Sequence, residues 1–184
     1  MSSAPESELA RRAANGDEAA FAEIVRLHQQ AVYNVAYRML GNTHDAEDAA
    51  QDAFIRAYQF FGRFDTDRPL APWLKRITVN VCLNRMNARK PASSLDDDLP
   101  PPKDSQPGPE TQTANRQRRE RIRAEIASLS PHYRAVIELR HFQEMSYDEI
   151  ASTLKRPLST VKSDLFRARK ILAERLKDLN HEPS

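Results

Sequence analysis

The chain holds 184 residues, 40% apolar and 29% charged, enough for one medium domain or two small ones with modest cores. Its single cysteine, the lack of any Cys/His cluster, and the lack of an apolar core in the N-terminal MSSAPESELARR or of a run near ~18 apolar residues argue against an internal disulfide, a bound metal or other cofactor, secretion and membrane insertion, and place the protein in the cytoplasm. The net charge of +2 conceals an uneven distribution: residues 1–90 carry 12 basic against 11 acidic side chains, 91–114 one against five, and 115–184 fifteen against ten, so two zones suited to a polyanion flank an acidic spacer.

Only four glycines occur and period-two alternation is scarce, so the helical spacing predicts an all-α protein. Asn15-Gly16 forms a turn. From Asp17 to about Gln29, Phe21, Ile24, Val25 and Leu27 line one side of a helix, and a second from about Ala31 to Leu40 continues or follows it. Gly41 stops the helix and Asn42-Thr43 caps the next. That third helix, about His44 to Phe61, crowds Asp45, Glu47, Asp48 and Asp52 into its first half, where the helix dipole favours negative charge. A loop over 62–71 leads to Pro72-Trp73, which opens a fourth helix reaching about Arg89; Trp73 reads as its packed anchor, with stacking on a base as the alternative. Residues 73–90 carry Lys75, Arg76, Arg85, Arg89 and Lys90 and no acid. Cys82, among Ile77, Val79, Val81 and Leu83, reads as a small core residue with no redox role.

Residues 91–110 hold half of the chain's 12 prolines along with a run of aspartates. Proline removes backbone donors and the acids repel each other, which predicts a flexible linker over 91–115 between domains 1–90 and 116–184. Beyond it a charged helix covers about 116–129, and Ser130-Pro131 restarts a helix over 131–143. Ser146-Tyr-Asp-Glu149 is a capping box opening a short helix that ends near Leu154. The turn Lys155-Arg156-Pro157-Leu158 then leads to a last helix from about Ser159 to Leu179. This pair fits a helix-turn-helix. At about 100° per residue, Val161, Leu165, Ala168, Leu172 and Leu176 share the core side of the last helix. Lys162, Ser163, Phe166, Arg167 and Lys170 lie opposite, offering cations for phosphates and polar donors for base edges.

The stretches Leu129 to Phe142, Met145 to Ala151 and Thr160 to Arg169 resemble the fourth conserved region of bacterial sigma factors. Asp45 to Arg56 and Trp73 to Asn80 resemble the second region. With only a linker between them, the arrangement is similar to the extracytoplasmic-function (ECF) group of the sigma-70 superfamily. The resemblance implies two small helical domains, promoter DNA and core RNA polymerase as partners, and no enzymatic chemistry. It implies that Asp45, Asp48, Gln51, Asp52 and Arg56 meet the clamp of the polymerase's largest subunit, and that the second domain rests on the flap of the second subunit. For the −10 element it implies Phe64 and Asp65 in the loop, Asn80 and Asn84 at a flipped base, and Lys75, Arg76, Arg85 and Arg89 at phosphates. For the −35 duplex it implies Ser159, Thr160, Lys162, Ser163, Phe166, Arg167 and Lys170. Relatives of this kind are often silenced by an anti-sigma factor, which is expected here too.

Two departures stand out. Many members of the group have Gly where Ser159 stands and a basic residue where Asp164 stands. An acid there either accepts from a cytosine amino group or pairs with a neighbouring arginine. The alternative function is a helix-turn-helix regulator that never binds polymerase. A Mg²⁺-dependent nuclease built on Asp45, Glu47, Asp48 and Asp52 is disfavoured, because these acids spread around their helix.

Overall fold

The computed structural model describes residues 5–89 and 110–180, and these contain helices and turns with no strand among them. The N-terminal unit is built of α1 (Glu6–Ala14), α2 (Glu18–Leu40), α3 (Thr43–Phe60) and α4 (Leu70–Ala88). The first was not anticipated: Leu9, Ala10 and Ala13, its buried side, are too few and too small to announce a helix. The two expected helices over 17–40 are one helix of 23 residues. Asp17 caps it by accepting from the Ala20 amide at 3.1 Å. Gly41, at φ +82°, ends it in the left-handed region, where a residue lacking Cβ is unstrained. The Asn42 side chain then accepts from the Asp45 amide at 2.8 Å, capping α3 as the sequence predicts.

The buried face of α3 is a row of alanines, Ala46, Ala49, Ala50, Ala53 and Ala57. Such small side chains bring its backbone close to the branched residues of α2 and α4, among them Ile24, Val32, Val35, Leu74, Val79 and Val81. The end of the bundle is closed by an aromatic cluster. Trp73 meets Phe61 edge-on at 5.4 Å and Phe64 at 4.6 Å, and Phe21 meets Phe61 at 5.7 Å. Trp73 thus anchors the start of α4, as expected.

The C-terminal unit comprises α5 (Glu110–Ala127), α6 (Pro131–Ile137), a π-helical turn (Glu138–Phe142), α7 (Tyr147–Leu154), α8 (Leu158–Arg175) and a closing 3₁₀ turn (Lys177–Asn180). Most of the expected linker lies outside the described residues; its last part, 110–115, is already helix α5. Pro131 occupies the first turn of α6, although Ser130 makes no side-chain capping bond. The helix expected over 131–143 widens at its end, where the Gln143 amide donates to the Glu138 carbonyl five residues back at 3.1 Å. Ile126, Leu129, Val136, Ile137, Leu139, Ile150, Val161 and Leu165 form the core of this unit.

The two units pack on one another. Arg38, in the last turn of α2, donates through Nε and Nη2 to both carboxylate oxygens of Glu138, at 2.8 and 2.7 Å. The Glu138 side chain is 2% exposed, and Gln143 also donates to it at 2.8 Å. Arg38 lies 4.4 Å over the Phe142 ring. Arg134 of α6 reaches the Met39 carbonyl at 2.7 Å and its own unit's Leu129 carbonyl at 2.7 Å. Burial of its guanidinium pushes the Arg134 pKa down.

Candidate nucleic-acid interface

The helix-turn-helix is formed as its local sequence dictates. The Ser146 Oγ accepts from the Glu149 amide at 3.2 Å while the Ser146 amide donates to Glu149 Oε2 at 2.8 Å, completing the capping box of α7. These bonds favour the ionised Glu149 and lower its pKa. Lys155, at φ +52°, reverses the chain after α7, and Pro157 pre-sets the start of α8. Val161, Leu165 and Ala168 are buried, whereas Leu172, expected in the same stripe, is half-buried.

On the outer side Ser159, Lys162, Ser163, Phe166, Arg167 and Lys170 are exposed and Thr160 is half-buried, so the expected face is formed as a unit. Phe166 is 68% exposed. A shallow groove beside it is lined by Tyr147, Lys162, Phe166, Arg169 and Lys170. His141 lies nearby, accepting from Arg169 Nε at 3.1 Å; burial, then the charges of Arg169 and Arg140, lowers its pKa. Asp164 settles the second alternative read from the sequence. It is 7% exposed and accepts from Arg156 Nη1 at 2.7 Å, turned inward towards the helix-turn-helix turn. From Ser159 to Lys170 the outward face of α8 therefore carries no acid.

In α4, Arg76, Asn80 and Asn84 follow one another at intervals of four, which aligns them along one face. Asn84 is exposed; Lys75, Arg76 and Asn80 are half-buried. Arg76 lies 3.6 Å from Glu149 of α7, and Asn80 Nδ2 donates at 3.4 Å to the Thr153 carbonyl of the same helix. In the loop ahead, Asp65 is exposed and accepts from the Asp67 amide at 3.1 Å. Phe64 calls for a correction. It is buried in the aromatic cluster with Phe61 and Trp73, so its ring supports the loop from beneath and is not presented to a base.

The acids and cations that the sequence assigns to separate partners are partly engaged with one another. Asp45 accepts a bidentate pair from Arg89 at 2.7 and 2.9 Å, and Asn42 adds a third bond at 2.6 Å. The Arg89 guanidinium, against some opposing desolvation, holds this carboxyl well below the usual range. Asp52, two helical turns along α3 from Asp45, accepts a single bond from Arg85 Nη2. Asp48, Gln51 and Arg56 remain on the outer face of α3, with His44 3.6 Å from Asp48. Between them the helix presents Ile55, 55% exposed, and nearby Tyr58, 48% exposed. Sequence reasoning missed both, because an apolar residue on an amphipathic helix is assigned to the core by default. The one available signal was that Ile55 falls in register with Gln51 and Asp48 and not with the alanine row. Among the described residues no three His, Cys, Asp or Glu side chains converge as a metal site, and no helix is long and apolar enough to cross a membrane.

Geometry alone defines a two-unit helical protein with a helix-turn-helix and a second polar, basic helix face. Comparison with known proteins narrows this. The family model "Sigma-70 region 2" matches residues 24–91, and "Sigma-70, region 4" matches residues 119–172. The chain is 39% identical over 173 residues to the ECF RNA polymerase sigma factor SigW of Bacillus subtilis, covering 89% of this chain and 92% of that protein. It is 32% identical over 180 residues to the ECF RNA polymerase sigma-E factor of Escherichia coli, covering 93% and 94%. Among solved structures, CnrH in complex with the cytosolic domain of CnrY superposes with a TM-score of 0.63 at 26% identity, over 94% of this chain and 97% of that one. The chain belongs to the ECF sigma factors of the sigma-70 family.

Proposed function

We propose that the protein docks on core RNA polymerase and directs promoter-specific initiation, with α4 receiving an unwound −10 base and α8 reading the −35 element as duplex. The observation that carries this is the outer face of α8. Lys162, Ser163, Phe166, Arg167 and Lys170 are exposed together, and the one acid of that stretch is withdrawn into a pair with Arg156. A helix that spends its acid inward keeps its outer face attractive to phosphates. The two amides of Asn80 and Asn84, one turn apart, each offer a donor and an acceptor for a Watson–Crick edge. Lys75 and Arg76 flank them as phosphate contacts.

Polymerase docking is assigned to the outer face of α3, where Asp48, Gln51 and Arg56 surround Ile55 and Tyr58. A charged rim around an apolar centre suits a specific protein interface. In this reading Asp45, Asp52, Arg85 and Arg89 brace α3 against α4, and Arg85 and Arg89 reach phosphates only at the expense of those pairs. The clamp of the largest subunit is the partner for α3, and the flap of the second subunit the partner for the C-terminal domain. Domains 1–90 and 116–184 are the functional units. The protein acts in the cytoplasm and supplies no bond-making side chain, the polymerase doing the chemistry. Because a structural relative was solved with a partner's cytosolic domain, an anti-sigma partner is proposed here as well.

Transcription in vitro with purified core polymerase on fragments of the source genome tests the reading. Defined transcripts should appear only with this chain present. Duplex binding without core binding or initiation would favour the helix-turn-helix regulator instead, and Asn80→Ala separates the two by removing promoter opening while leaving duplex affinity intact.

A further inference from the structure

The contacts between the two domains are not spread evenly. At one end stands the Arg38–Glu138 pair, bidentate, with Glu138 2% exposed and Phe142 stacked on the arginine. At the other end α4 and α7 lie side by side, in register. Arg76 faces Glu149, and one turn further along both helices Asn80 faces Thr153. This second contact is loose: its distances are 3.6 and 3.4 Å, and Arg76 Nε is buried without a hydrogen-bond partner among the described residues. A bidentate ion pair with a buried carboxylate, joined by the Arg134 bond to the Met39 carbonyl, therefore holds one end of the seam, and a weak, imperfectly satisfied contact covers the face of α4 that carries Arg76 and Asn80.

We infer that the free chain masks its own single-strand-reading face: the Arg38–Glu138 pair latches the domains closed, and α7 then occupies Arg76 and Asn80 of α4. This rests on the reading of α4 as the −10 surface. The π-helical turn is part of the device. It begins at Glu138 and ends at Phe142, the two residues whose carboxylate and ring meet on the same arginine. The division of strength has a functional sense. Whatever draws Arg38 from Glu138 and Arg134 from the Met39 carbonyl leaves α7 with too little hold to stay on α4, so opening that one end exposes the whole face.

The test uses the full-length chain and three proteins: wild type, Arg38→Glu, and the charge swap Arg38→Glu with Glu138→Arg. Solution X-ray scattering reads closure, and fluorescence anisotropy with a labelled random-sequence DNA strand of about 15 nucleotides reads access to α4. Wild type should have the radius of gyration of a closed pair of domains, and Arg38→Glu should exceed it by about 3 Å or more. Arg38→Glu should also bind the strand about tenfold more tightly, because the competent fraction rises. That gain would come despite two units of added negative charge, which by themselves weaken strand binding. The swap should restore both the compact size and the weak binding while keeping the wild-type net charge. Circular dichroism verifies folding; if Arg38→Glu fails it, Glu138→Lys breaks the same pair from the other domain. An already extended wild type, or a broken pair that leaves the chain compact, overturns the latch. Opening with no gain in strand affinity overturns the masking and traces the failure to the α4 reading, since closure would then have been demonstrated.

Discussion

Asp164 and Arg156 are joined by a 2.7 Å ion pair that ties the second turn of α8 to the turn preceding it, and Asp164 is buried by the arrangement. The pair neutralises an arginine at the edge of the DNA-facing surface and withdraws an acid from it. Replacing Asp164 by Ala should release Arg156 towards solvent, where it becomes an additional phosphate contact. Affinity for non-specific duplex should rise, and the slope of log K against log salt should steepen by about 0.9. Stability should fall by about 1–3 kcal/mol, because a buried charge-assisted bond is lost. Anisotropy titrations at several salt concentrations and thermal unfolding check the two effects; an unchanged slope would show that Arg156 stays off the DNA.

Lys170 and Phe166 should fail differently. Lys170→Ala removes a phosphate contact, so it should weaken −35 and random duplexes alike and flatten the salt slope by about 0.9. Phe166, 68% exposed, has no packing role to lose. Phe166→Ala should leave stability within about 0.5 kcal/mol and reduce discrimination between −35 and random duplex without altering the slope. Parallel titrations on both duplexes separate these outcomes.

The helices of this chain were legible because their ends are written in local chemistry: Asn42 and Ser146 as caps, Gly41 as a stop, Pro131 at a first turn. What could not be read is anything set by distance in space. The Arg38–Glu138 pair spans 100 residues of chain, and nothing near either residue announces the other. The same holds for Asp52–Arg85 and Asp45–Arg89, whose members the family resemblance assigned to different partners. Phe64, which the family resemblance implied at the −10 element, packs under the loop because Phe61 and Trp73 leave room for its ring, a proximity that no stretch of local sequence displays. On α8 the period of 3.6 sorted Lys162, Ser163, Phe166, Arg167 and Lys170 correctly to the outside. It placed Asp164 on the flank and could not show which way its side chain turns.

Asp45 gives the protein a defined sensitivity to acid. Its pKa is lowered from the ordinary 3.8 chiefly by the Arg89 hydrogen bonds. A carboxyl depressed in the folded state contributes stability that is fully present above its unfolded value, about 3.9, and is lost as the pH falls below it towards the folded value. Arg89→Ala should therefore lower stability at pH 7 while flattening the loss below about pH 4. Urea unfolding at pH 7, 4 and 3 measures this; parallel curves for the two proteins would exclude the pair as the source.

Cys82 is fully buried in α4, and that burial pushes its thiol up to about 12. The native protein should not react with an aromatic disulfide reagent at pH 8 and should release one equivalent of thiolate only on denaturation. Fast labelling of the folded chain would show that α4 opens far more readily than its packing allows.

The π-helical turn makes the orientation of the DNA-reading domain a question of counting. A turn closed by a bond from residue 143 to residue 138 takes up one residue more than an α-turn does. Removing a single residue between Glu138 and Phe142 would close it to an α-turn and leave α7 and α8 in phase with α6, with every cap and every core residue still available. The same deletion within α6 would instead rotate everything downstream by about 100° and carry Glu138 away from Arg38. Distance measurements between labelled domains would separate the two deletions, preserved by the first and altered by the second.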